Sequence, residues 1–193
     1  MENMTENVNS IEIMMEEHQN ILRMCKVIRT ICFGILKGKE INYDEFYEII
    51  DFIKNYADTH HHGKEEKFLF AEMQEHLGRI GENLITHGML VEHDYGRLYM
   101  SELKDALARV KEGDEESKLD VISNVISYTH HITRHIAKED EVVYTYGAKH
   151  LSKEILDKVN KLSEKFEEDA KEAGVQEKYL DLLQRLEEKY KEK

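Results

Sequence analysis

The sequence predicts an all-α protein, an antiparallel up-down four-helix bundle with one or two extra C-terminal helices. Its 193 residues include no proline and only 10 glycines, so the chain lacks the turn residues that many-stranded sheets need. Charged residues make up 35% of the chain, which favours long, solvated helices. A single core of about 150 residues already buries roughly two thirds of its unfolded surface, so one bundle with an appendage accounts for the length.

The first two helices are indicated by apolar residues at three- and four-residue steps. The first is expected to begin at the cap Ser10 and to end near Gly38, and His18 lies within its apolar stripe. The second is expected to run from about Tyr43 to about His76, and its apolar stripe leads into three consecutive histidines.

The third and fourth helices follow after a glycine-containing turn. Gly78 and Gly81 are expected to form that turn, and the third helix, at residues 83–111, carries His93 on its inner stripe. The fourth helix is expected at residues 117–146 and is followed by a glycine. Helices of this length joined by short connections pack side by side, and such bundles build metal sites from side chains on facing helices.

The remaining segment is amphipathic and highly charged. We therefore assign residues 1–150 to the bundle and residues 151–193 to a C-terminal helical extension with a break at Gly174. Its apolar positions suit one or two helices packed on the bundle or on a second subunit, which would make the protein a homodimer. The extension could equally be a solvated lid without a function of its own.

Charge and hydropathy limit the partners. The formal net charge is −13, whereas nucleic-acid binding needs a basic face that releases counterions. No stretch approaches the roughly 20 apolar residues of a membrane span. The first ten residues are polar and acidic, unlike a secretory signal. We expect a cytoplasmic protein with neither a nucleic-acid nor a membrane partner.

The two cysteines lie on the first predicted helix. Cys25 and Cys32 are seven residues apart, about 10 Å along a helix, which is too far for a disulfide. We expect them to be buried thiols. A redox or metal-binding role is the alternative, but the spacing C-x6-C matches no zinc motif.

A ten-residue pattern occurs in both the second and the fourth helix. HHGKEEKFLF (61–70) aligns with HIAKEDEVVY (135–144) in the register H-x-x-K-E-[ED]-x-apolar-apolar-aromatic. Residues four apart share one face of an α-helix, so His61 pairs with Glu65 and His135 pairs with Glu139. Two such helices facing each other would bring together two imidazoles and two carboxylates.

The α-helical period also separates neighbouring histidines of the second helix. His62 follows Asp58 on a polar face, so His61 is predicted to point inward and His62 outward. His60 leans towards the apolar side but meets Lys64, not a carboxylate, four residues later. We expect His60 to lie around the site or to take no part in it.

A buried carboxylate needs a partner. Burying Glu65 and Glu139 without a cation would cost several kcal/mol, and a metal removes that cost. The alternative is a polar layer of His–Glu hydrogen bonds without metal. Imidazoles and carboxylates without an inward thiolate suit iron or manganese, with zinc possible, and two shared carboxylates suit a pair of ions. The motifs E-x-x-H and H-E-x-x-H are absent, which disfavours ferritin-like and zinc-protease sites.

These motifs, together with EEHQNI (16–21) and VEHDYGR (91–97), resemble the hemerythrin-like (HHE cation-binding) domains over roughly residues 10–147. The resemblance implies an up-down bundle holding two non-haem irons with an oxo or hydroxo bridge, manganese or zinc being alternatives. It also implies terminal ligands and bridging carboxylates, namely His18, His61, His93 and His135, with Glu65 and Glu139 as bridges.

The sequence departs from hemerythrins on the third helix, where one ligand is absent, and on the fourth, where it has H-x-x-x-E and not H-x-x-x-x-D. Hemerythrins have H-x-x-x-H on the third helix, but Met89 stands four residues before His93. One nitrogen is therefore expected to be missing. His131, one turn before His135, could replace it or form hydrogen bonds around the site.

Two tyrosines near these histidines, Tyr95 and Tyr128, could donate to a bound oxygen species or could be ordinary core residues.

Three functions stay open. The first is a di-iron protein that binds or senses O2 or NO, or handles iron under oxidative or nitrosative stress. The second is an enzyme acting on peroxide or NO, or an iron–sulfur cluster repair protein. The third is a metal store or a structural bundle.

Overall fold

The computed structural model describes residues 9–191, so residues 1–8 of the predicted bundle and residues 192–193 of the predicted extension lie outside it. The described chain forms six helices and no strand, which confirms the all-α class. A short 3₁₀ turn at Glu115–Ser117 precedes the fourth helix. The helices are α1 (Ser10–Leu36), α2 (43–76), α3 (78–111), α4 (118–150), α5 (Lys153–Glu172) and α6 (Val175–Tyr190).

Side-chain caps set the start of three helices. Asn9, and not the predicted Ser10, caps α1, because its side chain accepts hydrogen bonds from the backbone of Ile11 and Glu12. Asn42 caps α2 in the same way, and Ser152 caps α5. Each cap satisfies amide groups that have no partner inside the helix.

The connection between α2 and α3 is shorter than predicted. Leu77 alone separates the two helices, and α3 begins at Gly78, which has a φ of +56°. Gly81 lies inside α3, not in a turn. A Cβ at Gly81 would lie 2.2 Å from the carbonyl oxygen of Met73, so only glycine allows α3 to start directly against the end of α2.

The end of the fourth helix was also predicted too early. α4 continues to His150, and Gly147 lies buried within it. A Cβ at Gly147 would lie 3.0 Å from Sδ of Met73, so this glycine allows the close approach of α4 to α2 and does not end the helix.

Several turns of α2, α3 and α4 are π-helical, with hydrogen bonds from residue i to residue i+5. In α2 they cover Ile53–His62 and Glu65–Leu69, in α3 Ile85–Met89 and in α4 Glu139–Val143. A π turn takes up more residues than an α turn, so side chains around it no longer follow the α-helical period. This change matters for the histidines at the end of the first π segment.

The interior consists of two apolar clusters with a polar layer between them. The larger cluster includes side chains of α1, α2, α3, α4 and α6, and the smaller one includes side chains of α1, α2, α3, α4 and α5. Helix α6 packs along α1, while α5 contacts α1 and α2. Among the described residues, no helix combines the length and the apolar character that a membrane span requires.

Candidate metal centre

Histidine and glutamate side chains form the polar layer between the two apolar clusters. All six residues predicted as ligands lie there, each at most 1% exposed: His18, His61, Glu65, His93, His135 and Glu139. They come from four different helices, α1 to α4. The layer is therefore a point where four helices converge.

Many polar atoms of this layer have no hydrogen-bond partner among the described residues. They include the Nε2 atoms of five histidines, among them His62, together with Glu65 Oε2 and both carboxylate oxygens of Glu139. Leaving one buried polar atom without a partner costs about 1–3 kcal/mol, and more for charged groups. These orphaned atoms point to one place and belong to groups of side chains that could hold a metal ion.

The inward-facing atoms fall into two groups, in each of which the ligand atoms lie within 4.8 Å of one another. One group is His62, His93 and His135, and the other is His18, His61, Glu65 and Glu139. Glu139 faces both groups, since Oε1 lies 3.0 Å from His135 Nε2 and Oε2 lies 3.3 Å from His18 Nε2. Glu65 Oε2 lies 3.5 Å from His93 Nε2 and 3.7 Å from His61 Nε2, so it too lies between the groups.

The prediction that His62 points outward was wrong. The residue is only 5% exposed, and its ring stacks on that of His93 with 3.7 Å between ring centroids. His62 ends the long π-helical segment of α2, where the α-helical period used for the prediction does not hold. Its side chain lies in one group with His93 and His135, where the sequence analysis expected one nitrogen to be missing.

Each of the five inward histidines uses its other ring nitrogen to contact a carboxylate. A carboxylate can only accept, so Nδ1 donates to it, and in the neutral form of each ring the lone pair of Nε2 is the one directed to the centre. Such carboxylate–histidine pairs orient metal ligands in proteins. The Nδ1–oxygen pairs are His18–Asp140 at 2.7 Å, His61–Glu17 at 2.8 Å, His62–Asp58 at 3.3 Å, His93–Glu66 at 2.6 Å and His135–Glu92 at 3.0 Å.

The arrangement consists of two halves that share the same pattern of contacts. In one half Glu17 contacts His61 and the ammonium of Lys64, and in the other Glu92 contacts His135 and the ammonium of Lys138. The lysine of each H-x-x-K-E motif thus holds the carboxylate that orients the histidine of the same motif. The Glu-His pairs at 17–18 and 92–93 were the signal in the sequence for these carboxylates.

The aromatic residue that ends each repeat packs on a ligand histidine. Tyr144 stacks on His18 at 5.6 Å between centroids, and Phe70 stacks on His93 at 6.0 Å. Tyr144 also donates its hydroxyl to Glu65 Oε1 at 2.5 Å, which orients that carboxylate. The sequence analysis did not consider Tyr144, although its place in the repeat marked it.

Two differences make the halves unequal. His62 belongs to the first repeat but lies with His93 and His135, and its counterpart in the second repeat is Ile136, which has no nitrogen in its side chain. The half around His93 and His135 therefore has three histidines, and the half around His18 and His61 has two. Phe70 has no hydroxyl, so Glu139 receives no counterpart of the bond from Tyr144 to Glu65.

The charges of the layer depend on one another. Burial and the facing charge of Glu139 raise the pKa of Glu65 well above its usual range. Burial acts against the charged form of His135, but the carboxylates of Glu139 and Glu92 outweigh it and raise its pKa to about 10. Burial also acts against the charged form of His18, but the carboxylates of Asp140 and Glu139 outweigh it and raise the pKa to about 9. These carboxylates therefore stabilise positive charge at the centre.

A second polar network borders the layer and includes helix α5. Lys64 is only 1% exposed, and its ammonium contacts both Glu17 and Glu167. His60 Nε2 lies 2.9 Å from Glu17 and 3.2 Å from Glu167. His60 therefore does not reach the inner atoms and contacts the carboxylate that orients His61. The ammonium of Lys64 supplies the positive charge at this cluster.

The other predicted side chains lie outside the inner group. His131 Nε2 lies 2.7 Å from the backbone oxygen of Glu92, so it does not supply the additional nitrogen. Tyr95 is 50% exposed. Tyr128 is buried, and its hydroxyl has no partner among the described residues.

The donor set fits a transition metal. Imidazole nitrogens and carboxylate oxygens converge without a thiolate, since Cys25 and Cys32 lie in the larger apolar cluster. The two carboxylate oxygens of Glu139 face different groups, Oε1 towards His135 and Oε2 towards His18.

Comparison with known families adds an independent line of support. A family model described as the hemerythrin HHE cation binding domain matches residues 9–146 of the chain. No curated protein and no solved structure matches the chain. The matched range contains every inward histidine and glutamate and ends before α5 and α6.

Proposed function

This chain belongs to the hemerythrin HHE cation-binding domain family, and we propose that its buried layer holds two iron ions in one dinuclear centre. The observation that carries the proposal is the set of orphaned, inward-facing atoms, divided into two groups that share Glu65 and Glu139. The proposal includes an up-down, antiparallel course for α1 to α4.

The two ions would have unequal ligands. His62, His93 and His135 would hold one ion, and His18 and His61 the other, with Glu65 and Glu139 shared between them. Mixed nitrogen and oxygen donors without sulfur suit iron, manganese or zinc, and we favour iron because the family resemblance implies it.

We infer that the centre binds a small ligand such as O2 or NO. When bound, a ferrous pair supplies electrons and an exchangeable coordination position. The half with His18 and His61 offers one histidine fewer, so it has room for an external ligand. Both apolar clusters border the layer, and its inward histidines and glutamates are at most 5% exposed.

The residues around the ligands keep this asymmetry in place. Tyr144 holds one oxygen of Glu65, while the carboxylates of Asp140 and Glu17 fix the rings of His18 and His61. Such contacts set the direction of each Nε2 lone pair before any ligand arrives.

The test is an optical spectrum of the iron-loaded, anaerobically reduced protein, recorded before and after O2, NO, peroxide or azide is added. We expect about two irons per chain and stable new bands with O2 or NO. Continuous consumption of peroxide or NO would favour the enzymatic function. No response to any of these reagents would contradict ligand binding and leave storage or a structural role, and one ion per folded chain would contradict the dinuclear centre.

A matched variant tests which half takes the ligand. Ile136→His places an imidazole at the position of the second repeat that His62 has in the first. We expect weaker azide and NO binding with iron content unchanged. Met89→His, one helical turn from His93, modifies the three-histidine half and serves as the comparison. A larger loss of ligand binding in Met89→His than in Ile136→His would contradict the assignment.

A further inference from the structure

A cavity of about 320 Å³ lies between α2 and α3, next to the histidine layer. The buried rings of His62 and His93 line one part of it, and exposed residues line another. Its volume falls at the lower end of the roughly 300–1,000 Å³ that small-molecule pockets occupy, and it exceeds what a diatomic molecule needs. Its apolar wall consists of Ile50, Ile53, Ala57, Gly96 and Met100.

A single buried hydroxyl borders the apolar wall. Tyr128 lines the cavity and is 2% exposed, yet its hydroxyl has no hydrogen-bond partner within residues 9–191. Its ring lies beside Gly96, where a Cβ would be 3.7 Å from Cε2 of the tyrosine. A buried donor without a partner is costly, and a ligand with an acceptor atom would remove that cost.

Cationic side chains line the exposed part of the cavity. Lys54 and Lys104 are both exposed, and neither forms an ion pair with another described residue. Arg97 and the carboxylate of Asp58 also line the cavity, but they pair with each other, and Arg97 further contacts Glu66 and Asp94. In a chain with a formal net charge of −13, two unpaired ammonium groups at one opening favour an anionic ligand group.

We propose that this cavity binds a small organic carboxylate with an apolar chain. The chain would pack against the wall from α2 and α3, and the carboxylate would lie near Lys54 and Lys104. The hydroxyl of Tyr128 would donate to an acceptor atom of a functionalised ligand. This combination of an apolar body and few directed polar groups is typical of small-molecule sites.

The site is distinct from the position proposed for a diatomic ligand. The cavity borders His62 and His93, in the half with three histidines, whereas the external ligand is assigned to the half with His18 and His61. With its carboxylate near the two lysines, the ligand would place its apolar chain against the ring of His62 and thereby change the surroundings of the metal centre. Binding itself does not depend on which metal is present.

Octanoate is the probe, titrated calorimetrically into the metal-loaded protein, with octylammonium as the control of equal chain length and opposite charge. We expect one octanoate per chain and binding at least tenfold weaker for octylammonium. An octanoate-dependent change in the optical spectrum of the iron-loaded protein tests contact with His62 separately. If iron does not load, calorimetry still decides whether the cavity binds the carboxylate.

Three variants and one control locate the binding. Gly96→Leu fills the cavity and should abolish binding, while the double variant Lys54→Gln, Lys104→Gln should weaken it by about tenfold. Lys149→Gln, an exposed lysine at the far end of α4, is the matched control and should bind normally. The second probe is 8-hydroxyoctanoate, whose affinity Tyr128→Phe should weaken about two- to tenfold, the usual range for one hydrogen bond. This smaller change tests the site even if Gly96→Leu does not fold.

Several outcomes would overturn the proposal. These are no heat of binding with octanoate, equal binding of octylammonium, or unchanged octanoate affinity in a folded Gly96→Leu variant. Equal losses in the double lysine variant and in Lys149→Gln would show that only overall charge matters. Equal 8-hydroxyoctanoate affinities of the wild type and Tyr128→Phe would show that the hydroxyl is not part of the site.

Discussion

The imidazole ring of His62 stacks on that of His93, with centroids 3.7 Å apart and planes 8° from parallel. This contact between α2 and α3 brings the Nε2 atom of His62 into the group formed with His135. It also makes the two halves of an otherwise repeated site unequal, since the corresponding residue of α4 is Ile136.

His62→Ala should therefore lower the metal content from about two ions per chain to about one, because the three-histidine group loses a ligand. His131→Ala should leave the content near two, since that ring bonds to the backbone of Glu92. Elemental analysis of folded protein measures both. Metal loss in His131→Ala with none in His62→Ala would contradict the place of His62 in the metal site and favour His131 as the ligand.

Glu65→Ala should lower the number of metal ions bound, whereas Glu66→Ala should lower only the metal affinity. Glu65 contributes an inward oxygen, so its loss should remove at least one ion. Glu66 orients His93 from outside, and loss of such a residue typically costs about 10–100-fold in metal affinity while the number of sites is kept. Competition with a chelator measures the affinity, and the exposed Glu141→Ala is the control, for which a comparable loss would point to a general charge effect.

Lys64→Ala and Lys138→Ala form a matched pair, because the two lysines have the same place in the repeat. Lys64 is buried between Glu17 and Glu167, so its removal leaves these two carboxylates with His60 as their remaining shared partner and should cost up to about 3–5 kcal/mol. Lys138 is exposed, and its removal should cost under about 1 kcal/mol. Urea unfolding of the metal-free protein measures the difference, and equal losses would contradict the buried network.

Gly81→Ala should destabilise the protein by about 1–3 kcal/mol or more, because the added methyl group overlaps the carbonyl oxygen of Met73. Gly88→Ala is the control in the same helix. Its Cβ would meet only an ordinary contact at 3.7 Å, so it should stabilise by about 0.5–1 kcal/mol through its helix propensity. Thermal unfolding distinguishes them, and equal shifts in Tm would show that the α2–α3 connection is not tight.

Cys25 and Cys32 should be nearly inert in the folded protein. Burial raises the pKa of both thiols to about 12 from an ordinary value of 9.0. At pH 8 this leaves about a thousandfold less thiolate than in the unfolded chain, so alkylation should be slow until urea is added. Because the folded-state pKa is raised, the contribution of the two protonated thiols to the free energy of unfolding is fully present below pH 9.0 and is lost as the pH rises towards 12. Equal alkylation rates with and without urea would contradict their burial.

Local sequence spacing was enough to predict the all-α class and the inner-layer residues that the H-x-x-K-E repeat pairs. His61 with Glu65, and His135 with Glu139, are four residues apart, and that spacing places two side chains on one helix face. The family resemblance drawn from the same motifs agrees with the match over residues 9–146. These features depend on geometry within a single helix.

Other features depend on contacts between helices, which spacing along the chain does not contain. His62 lies inside because Ile53–His62 is π-helical and α3 packs against it. The short α2–α3 connection depends on contact between Gly81 and Met73. Glu167 reaches Lys64 from α5, more than one hundred residues later. The sequence by itself determined which residues could point the same way along one helix, whereas the tertiary structure decided which helices met and which partners each buried charge received.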